Sequence, residues 1–266
     1  MAHNAPQDEW ASGDAYEAYV GRWSRLVARH FIGWLDLGPG LRWLDVGCGT
    51  GALSAAILAE ADPAKIRGID ASPAYVEDAR RRLDDPRVAF ETTDAASLDV
   101  GQGFDVAVSG LVLNFLPDPR VAVAAMGRAL ADSGGVVAAY VWDYADRMEL
   151  IRYVWEAARQ LDVSVGELDE GVRFPLCNPT QLAQLWEDAG LRSIETTTLD
   201  VATVFSDFED YWSPFLGGQG PAPGYVMSRS EEQRNSLREA VHRSLPVAAD
   251  GSISLIARAF AVRGFG

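Results

Sequence analysis

Seven residues constrain this chain more than any others: Asp45-Val46-Gly47-Cys48-Gly49-Thr50-Gly51. They follow RWLDV, an apolar run of β type, and open GALSAAILAEA, a helical pattern, so the glycines stand where a strand turns into a helix. In that place closely spaced glycines let a ligand approach the backbone and meet the first N–H groups of the helix. The same alternation runs on to about residue 142. KIRGID reads as a second strand, followed by a helix with Ser72 as N-cap and Pro73 at its first position. VAFET is a third strand and FDVAVSG a fourth; Asp118-Pro119 starts the helix VAVAAMGRAL, and GGVVAAYVW is a fifth strand. Strand, helix, strand at this spacing requires crossover connections, so the expected fold is α/β: a doubly wound, mostly parallel, Rossmann-like sheet with helices on both faces.

Composition narrows the partners. The chain has 266 residues, 38 acids against 23 bases and a formal net charge of −15. An acidic chain repels phosphate backbones, and no cluster of Arg and Lys with interleaved aromatics reverses the field locally, so no nucleic-acid partner is expected. The basic triplet Arg80–Arg82 reads as a solvated helix face. Cys48 and Cys177 stand far apart without metal or redox spacing, which fits a reducing cytoplasm and no metal site. The first ten residues are polar and acidic, unlike a signal peptide, and no run of eighteen apolar residues occurs, so no membrane association is expected. Internal repeats and boundary linkers are absent, and the chain reads as one domain over 1–266: a helical cap over 1–40, a core over 41–142, a helical segment over 143–190 and an insertion over 206–250 before the last strand.

Three carboxylates accompany the glycines. Asp45 stands at the end of the first strand, two residues before Gly47. Asp70 ends the second, nineteen residues after Gly51, where a carboxylate can accept both hydroxyls of a ribose. Asp94-Ala95 follows the third, where a carboxylate can meet an exocyclic amine. Together they describe a nucleoside pocket at the carboxyl ends of adjacent strands. Gly47-x-Gly49-x-x-Ala52 also satisfies a loose dinucleotide fingerprint. Asp45 would then set a negative charge beside a pyrophosphate, and Asp94 would have no role.

With these residues the chain resembles the class I S-adenosylmethionine-dependent methyltransferases, in their small-molecule branch. WLDVGCGTG is similar to that family's first motif, GIDAS to its ribose-binding segment, DAASLD to its adenine-side motif and FDVAVSGLVLNFLPD to its fourth-strand motif. The resemblance covers about 41–142 and implies seven strands, the last antiparallel. It implies that Gly47, Cys48, Gly49, Thr50 and Gly51 pack against the methionine moiety of S-adenosyl-L-methionine, with S-adenosyl-L-homocysteine as product, and that Asp45 holds the amino group. Asp70 and Ala71 would bind the ribose, Asp94 and the Ala95 amide the adenine, and Ser109, Leu111 and Asn114 would line the donor. Many relatives carry histidine around Leu113-Asn114-Phe115; this chain has none, so no base transfers to that stretch. The expected function is methyl transfer to an O, N or C atom of a small-molecule acceptor. The alternatives are a non-catalytic protein binding the donor or its product, or an NAD(P)-binding oxidoreductase.

The acceptor side must come from elsewhere in the chain. Residues 15–35 form an amphipathic pattern, with Tyr19, Arg22, Trp23 and Arg25 able to close over the donor and an arginine able to pair with its carboxylate. His30 shares a stripe with Leu26 and Val27 and reads as packed. Asp143 and Tyr144, after the fifth strand, are the candidates for orienting or deprotonating an acceptor. RSIETTTLDVATVF and SISLIARAFAV read as the last two strands. Between them WSPFLGGQGPAPGYVMS, with four glycines and three prolines, predicts an irregular loop or lid rich in nearby aromatics. Oligomeric state, monomer or homodimer, leaves no mark in the sequence.

Overall fold

The expected strands form, and the order in which they lie side by side explains where a ligand sits. In a computed structural model that describes residues 17–94, 101–132, 134–218 and 220–266, the seven-stranded sheet has the order β3-β2-β1-β4-β5-β7-β6. The strands are β1 (Arg42–Val46), β2 (Lys65–Asp70), β3 (Val88–Thr92), β4 (Val106–Gly110), β5 (Val136–Trp142), β6 (Arg192–Phe205) and β7 (Ile253–Phe265). β1 pairs in parallel with β2 and β4, β2 with β3 and β4 with β5, while β7 runs antiparallel to β5. All seven residues of β5 are buried, as a strand covered on both faces requires.

The chain divides into two compact units. Ser24–Trp142, Leu176–Leu199 and Ala259–Gly266 make the sheet unit. Its helices include most of α1 (Arg22–Leu35), then α2 (Ala52–Glu60), α3 (Pro73–Arg82), α4 (Pro119–Ala129) and, later in the chain, Pro179–Asp188. Ser72, Asp118 and Asn178 each cap a helix whose next residue is proline: their side chains take the first-turn N–H groups, and proline gives up an N–H that would have no partner there. The buried stripe of α1 runs through Val27, Ala28, Phe31 and Ile32, with Phe31 on Tyr140 of β5 at 4.7 Å between ring centroids. His30 falls outside that stripe and is exposed, a correction to its reading as packed.

The second unit comprises Met1–Trp23, of which residues from Glu17 are described, with Asp143–Pro175 and Asp200–Arg258. It is helical apart from the β6 and β7 segments. α5 (Glu149–Leu161) buries Arg152, which pairs with the fully buried Asp169 at 2.7 Å; Asp169 also caps the short α6 (Glu170–Arg173). The segment expected to be irregular is helical in pieces: α8 (Phe208–Trp212, following α7 at Pro179–Asp188), a 3-10 turn Ser213–Gly217, α9 (Pro221–Ser228) and α10 (Glu231–Ser244). Proline falls in the first turns of the 3-10 piece and of α9, where it starts a helix, and the breaks fall at Gly218 (φ 66°) and Gly220 (φ 82°). No helix among the described residues is long and apolar enough to cross a membrane.

Candidate functional site

The strand order reverses between β1 and β4, and in open α/β sheets the crevice at the carboxyl ends beside such a reversal is where ligands bind. Asp45 stands there, fully buried, opposite Val108 in the β1–β4 register. Ser54 of α2 donates its hydroxyl to Asp45 Oδ2 at 2.7 Å, while Oδ1 is buried with no hydrogen-bond partner among the described residues. Burial, with the neighbouring Asp70 charge adding to it, lifts the Asp45 carboxyl to about 7 against the pull of the Ser54 bond.

The loop after Asp45 is tied down by its neighbour strand. The Ile69 carbonyl accepts both the Gly47 and Cys48 N–H groups, at 2.8 and 2.9 Å. Asp70 Oδ2 accepts the Gly49 N–H at 3.0 Å and its Oδ1 the Ser72 N–H at 2.8 Å, so one carboxylate braces the loop and the start of α3. A carboxylate has about four acceptor sites, so two remain for a ligand. Burial raises the Asp70 carboxyl as well, against the two N–H bonds. Two of the glycines have reasons internal to the protein. Gly47 (φ +74°) would put a Cβ 2.5 Å from Val112 Cγ2, and Gly51 (φ +87°) would press on Leu83, whereas a Cβ at Gly49 (φ +52°) meets nothing within 4 Å. Cys48 is buried, with its thiol raised well above the ordinary range by burial, which suits a space-filling residue and not a nucleophile. Thr50 is buried beside it.

At the end of β4, Ser109 is buried and donates its hydroxyl to the Val46 carbonyl of β1 at 2.9 Å. Leu111 follows at φ +65°, a conformation rare for leucine, with its N–H on the Tyr140 carbonyl at 2.8 Å. Asn114 donates to Cys177 Sγ at 3.6 Å and Cys177 in turn lies 3.3 Å from the Trp142 carbonyl, leaving Asn114 Oδ1 buried with no partner among the described residues. Ala71 and Asp94 are exposed at the ends of β2 and β3. Ala95 lies outside the described residues. The sheet unit thus brings Asp45, the glycine loop, Asp70, Ser109, Leu111 and Asn114 to one end of adjacent strands.

Residues 44–137 match the family model described as a methyltransferase domain. That stretch runs from β1 to the start of β5, so the methyltransferase likeness in sequence falls on the sheet unit. A malonyl-[acyl-carrier protein] O-methyltransferase of Acetivibrio thermocellus is 29% identical over 188 residues, 69% of this chain and 65% of that protein. A trans-aconitate 2-methyltransferase of Methylobacterium radiotolerans is 39% identical over 100 residues, 38% of this chain and 37% of that one. The chain therefore spans less than two thirds of either relative. Among solved structures, a methyltransferase from an antibiotic biosynthesis pathway of Anabaena variabilis superposes with a TM-score of 0.60 at 18% identity, over 89% of this chain and 96% of that one. The YcgJ protein of Bacillus subtilis gives 0.58, also at 18% identity, over 90% and 97%. At that identity the likeness speaks for the fold alone.

The remaining candidates are accounted for by the second unit, except Arg25, which lies exposed in the sheet unit. Arg22 pairs with Asp210 at 3.0 Å and stacks over Trp23 and Phe205. Tyr19 is buried edge-on against Phe215 at 5.3 Å, its phenol held protonated by burial and by the nearby Glu170. Asp143, a candidate for orienting or deprotonating an acceptor, is buried: its Oδ1 accepts the Asp146 N–H at 3.1 Å and closes the turn after β5, and burial raises its carboxyl. Tyr144 is buried edge-on against Phe174. Sequence reasoning passed over Ser54, a polar residue inside the apolar run ALSAAILA nine positions after Asp45, which its helical spacing could have flagged. Cys177 could not have been found, since it meets Asn114 across 63 residues of chain.

Proposed function

We propose that this protein is a methyltransferase that takes S-adenosyl-L-methionine as donor and methylates a small-molecule acceptor in the cytoplasm. The observation that carries the reading is the buried, half-satisfied Asp45 beside a glycine loop braced by Asp70. That donor set fits a cationic nucleoside: an ammonium group would give Asp45 Oδ1 its missing donor and hold the carboxyl ionised, and the two free acceptor sites of Asp70 suit a vicinal diol. The names of the two relatives, an O-methyltransferase of a malonyl thioester and a methyltransferase of trans-aconitate, agree with a small-molecule acceptor.

The donor supplies a sulfonium methyl group open to in-line displacement. The chain's part is to bind, align and exclude water. Ser109 ties the ends of β1 and β4 together, so the crevice has fixed walls. Gly49, with open space where a side chain would stand, leaves the loop backbone approachable. Asp94 and Ala95 are assigned to the adenine, and Leu111 and Asn114 to the donor's methyl end. Calorimetry with S-adenosylmethionine and S-adenosylhomocysteine, followed by a transfer screen read by S-adenosylhomocysteine release, tests the proposal. Micromolar binding of both nucleosides is expected; binding of NADH in their place overturns it.

A further inference from the structure

Arg22 holds two buried donors that have no hydrogen-bond partner among the described residues. Its Nη1 is anchored on Asp210 Oδ1, and Asp210 is itself held by the Ser206 N–H on Oδ2 at 2.9 Å. The guanidinium lies 4.4 Å from the Trp23 ring centroid and 4.8 Å from that of Phe205, so its plane and position are set from three sides. Nε and Nη2, which share the opposite edge, are buried with no hydrogen-bond partner among the described residues. That edge is the one this protein uses elsewhere to grip carboxylates: Arg42 on Asp105, Arg87 on Asp85, Arg120 on Asp118 and Arg258 on Asp200 each place Nε and Nη2 on the two oxygens of one acid. Unsatisfied buried groups on the same segments also carry protons: Tyr19 Oη and Trp23 Nε1 flank Arg22 in the chain, and Thr203 Oγ1 stands two residues before Phe205 on the same face of β6. Burying unpaired donors is costly, and a cluster of them complements an oxyanion.

We infer that the Nε–Nη2 edge of Arg22, walled by Trp23 and Phe205, binds the carboxylate of a small organic acid. Arg22, Trp23, Thr203, Phe205 and Asp210 all belong to the unit that holds none of the residues of the glycine-loop site. In a chain of net charge −15 an organic anion needs a local fork of this kind, and the aromatic walls suit its carbon skeleton.

The test uses the whole protein with 15N-labelled arginine side chains and saturating S-adenosylhomocysteine at about 150 mM salt, where loose surface pairing is screened. The Nε–Hε resonance missing from Arg22→Lys, a variant that keeps the charge facing Asp210, identifies Arg22. The probes are benzoate, glutarate and tricarballylate, each beside its carboxamide. The expected result is that at least one acid moves the Arg22 signal while its amide does not, that Arg22→Lys raises the Kd of that acid at least tenfold, and that the Kd for S-adenosylhomocysteine stays within twofold. The inference is overturned if no acid moves the signal, if acid and amide move it alike, or if S-adenosylhomocysteine alone moves it and Arg22→Lys weakens that nucleoside tenfold, which would give the fork to the donor. Failure of the methyl-transfer reading shows itself separately, as wild-type protein that binds no S-adenosylhomocysteine.

Discussion

The glycine-loop site and the Arg22 cluster are both built around buried polar groups with no partner among the described residues, and they differ in sign. At the loop the unsatisfied atom is an acceptor, Asp45 Oδ1, with Asn114 Oδ1 near the end of β4 as a second. Around Arg22 the unsatisfied atoms are donors: Nε and Nη2 of Arg22, Nε1 of Trp23 and Oγ1 of Thr203. An unsatisfied buried group costs about 1–3 kcal/mol, so each cluster records the complement of what it holds. One suits ammonium and hydroxyl groups, the other a carboxylate. The two differ equally in how the chain makes them. The loop and Asp45 are seven consecutive residues, while the Arg22 cluster draws on residues 22, 23, 203, 205 and 210.

That contrast can be broken most forcefully at Asp70. Asp70→Ala removes two loop-bracing bonds as well as the two free acceptor sites, and is expected to cost about 3 kcal/mol of S-adenosylhomocysteine binding, over a hundredfold in Kd by calorimetry. An unchanged Kd would remove the ribose assignment. Next in size is Gly47→Ala, whose Cβ meets Val112 at a positive φ; a loss of about 2–3 kcal/mol in urea unfolding is expected, partly restored by Val112→Ala, against about 1 kcal/mol for Gly49→Ala, where nothing is struck.

Asp45 sharpens the comparison through pH. Its folded value of about 7 lies above the unfolded one near 3.8, so the folded chain holds a proton that the unfolded chain has released between those limits. Its contribution to stability is present below about pH 4 and lost as pH rises to 7. Ligand-free Asp45→Asn is therefore expected to exceed wild type in stability by about 2 kcal/mol at pH 8, with the gap closing toward pH 4. Binding runs the other way: an ammonium ligand needs the ionised form, so wild-type affinity for S-adenosylhomocysteine falls up to about tenfold per unit below pH 7, and Asp45→Asn loses this dependence.

The smallest effect is expected at Glu170 in the second unit. Its buried carboxyl, raised to about 7 chiefly by burial, accepts the Trp155 indole N–H and the Ala222 N–H at the start of α9. Glu170→Gln keeps one of those bonds, so a loss of about 1–2 kcal/mol in thermal unfolding at neutral pH is expected, with no change in nucleoside affinity. A nucleoside affinity that followed Glu170 would erase the distinction between the two regions.

Much of the sheet unit was legible because its signals are local. Ser72-Pro73 and Asp118-Pro119 each announce a helix within two residues, and β2 and β6 begin and end where the runs KIRGID and RSIETTTLDVATVF do. The insertion holds no continuous helix, as its glycines and prolines require, but it is helical in pieces where an irregular loop was expected, because Pro214 and Pro221 stand in first turns, where proline is at home. At the site, the acids and glycines were legible as types at a spacing. Their states were not: the buried Ser54 bond, the left-handed Leu111 and the Asn114–Cys177 contact each depend on a neighbour chosen by packing.

By itself, then, the sequence determined a doubly wound sheet and a glycine loop flanked by acids, because periodicity, caps and the loop are written in consecutive residues. Only the tertiary structure decided that Asp45 is buried and half-satisfied, that Asp70 is spent partly on its own loop, and that Arg22 turns a free edge inward between Trp23 and Phe205. Burial and pairing are properties of groups brought together from distant positions, and no window of sequence contains both members of such a pair.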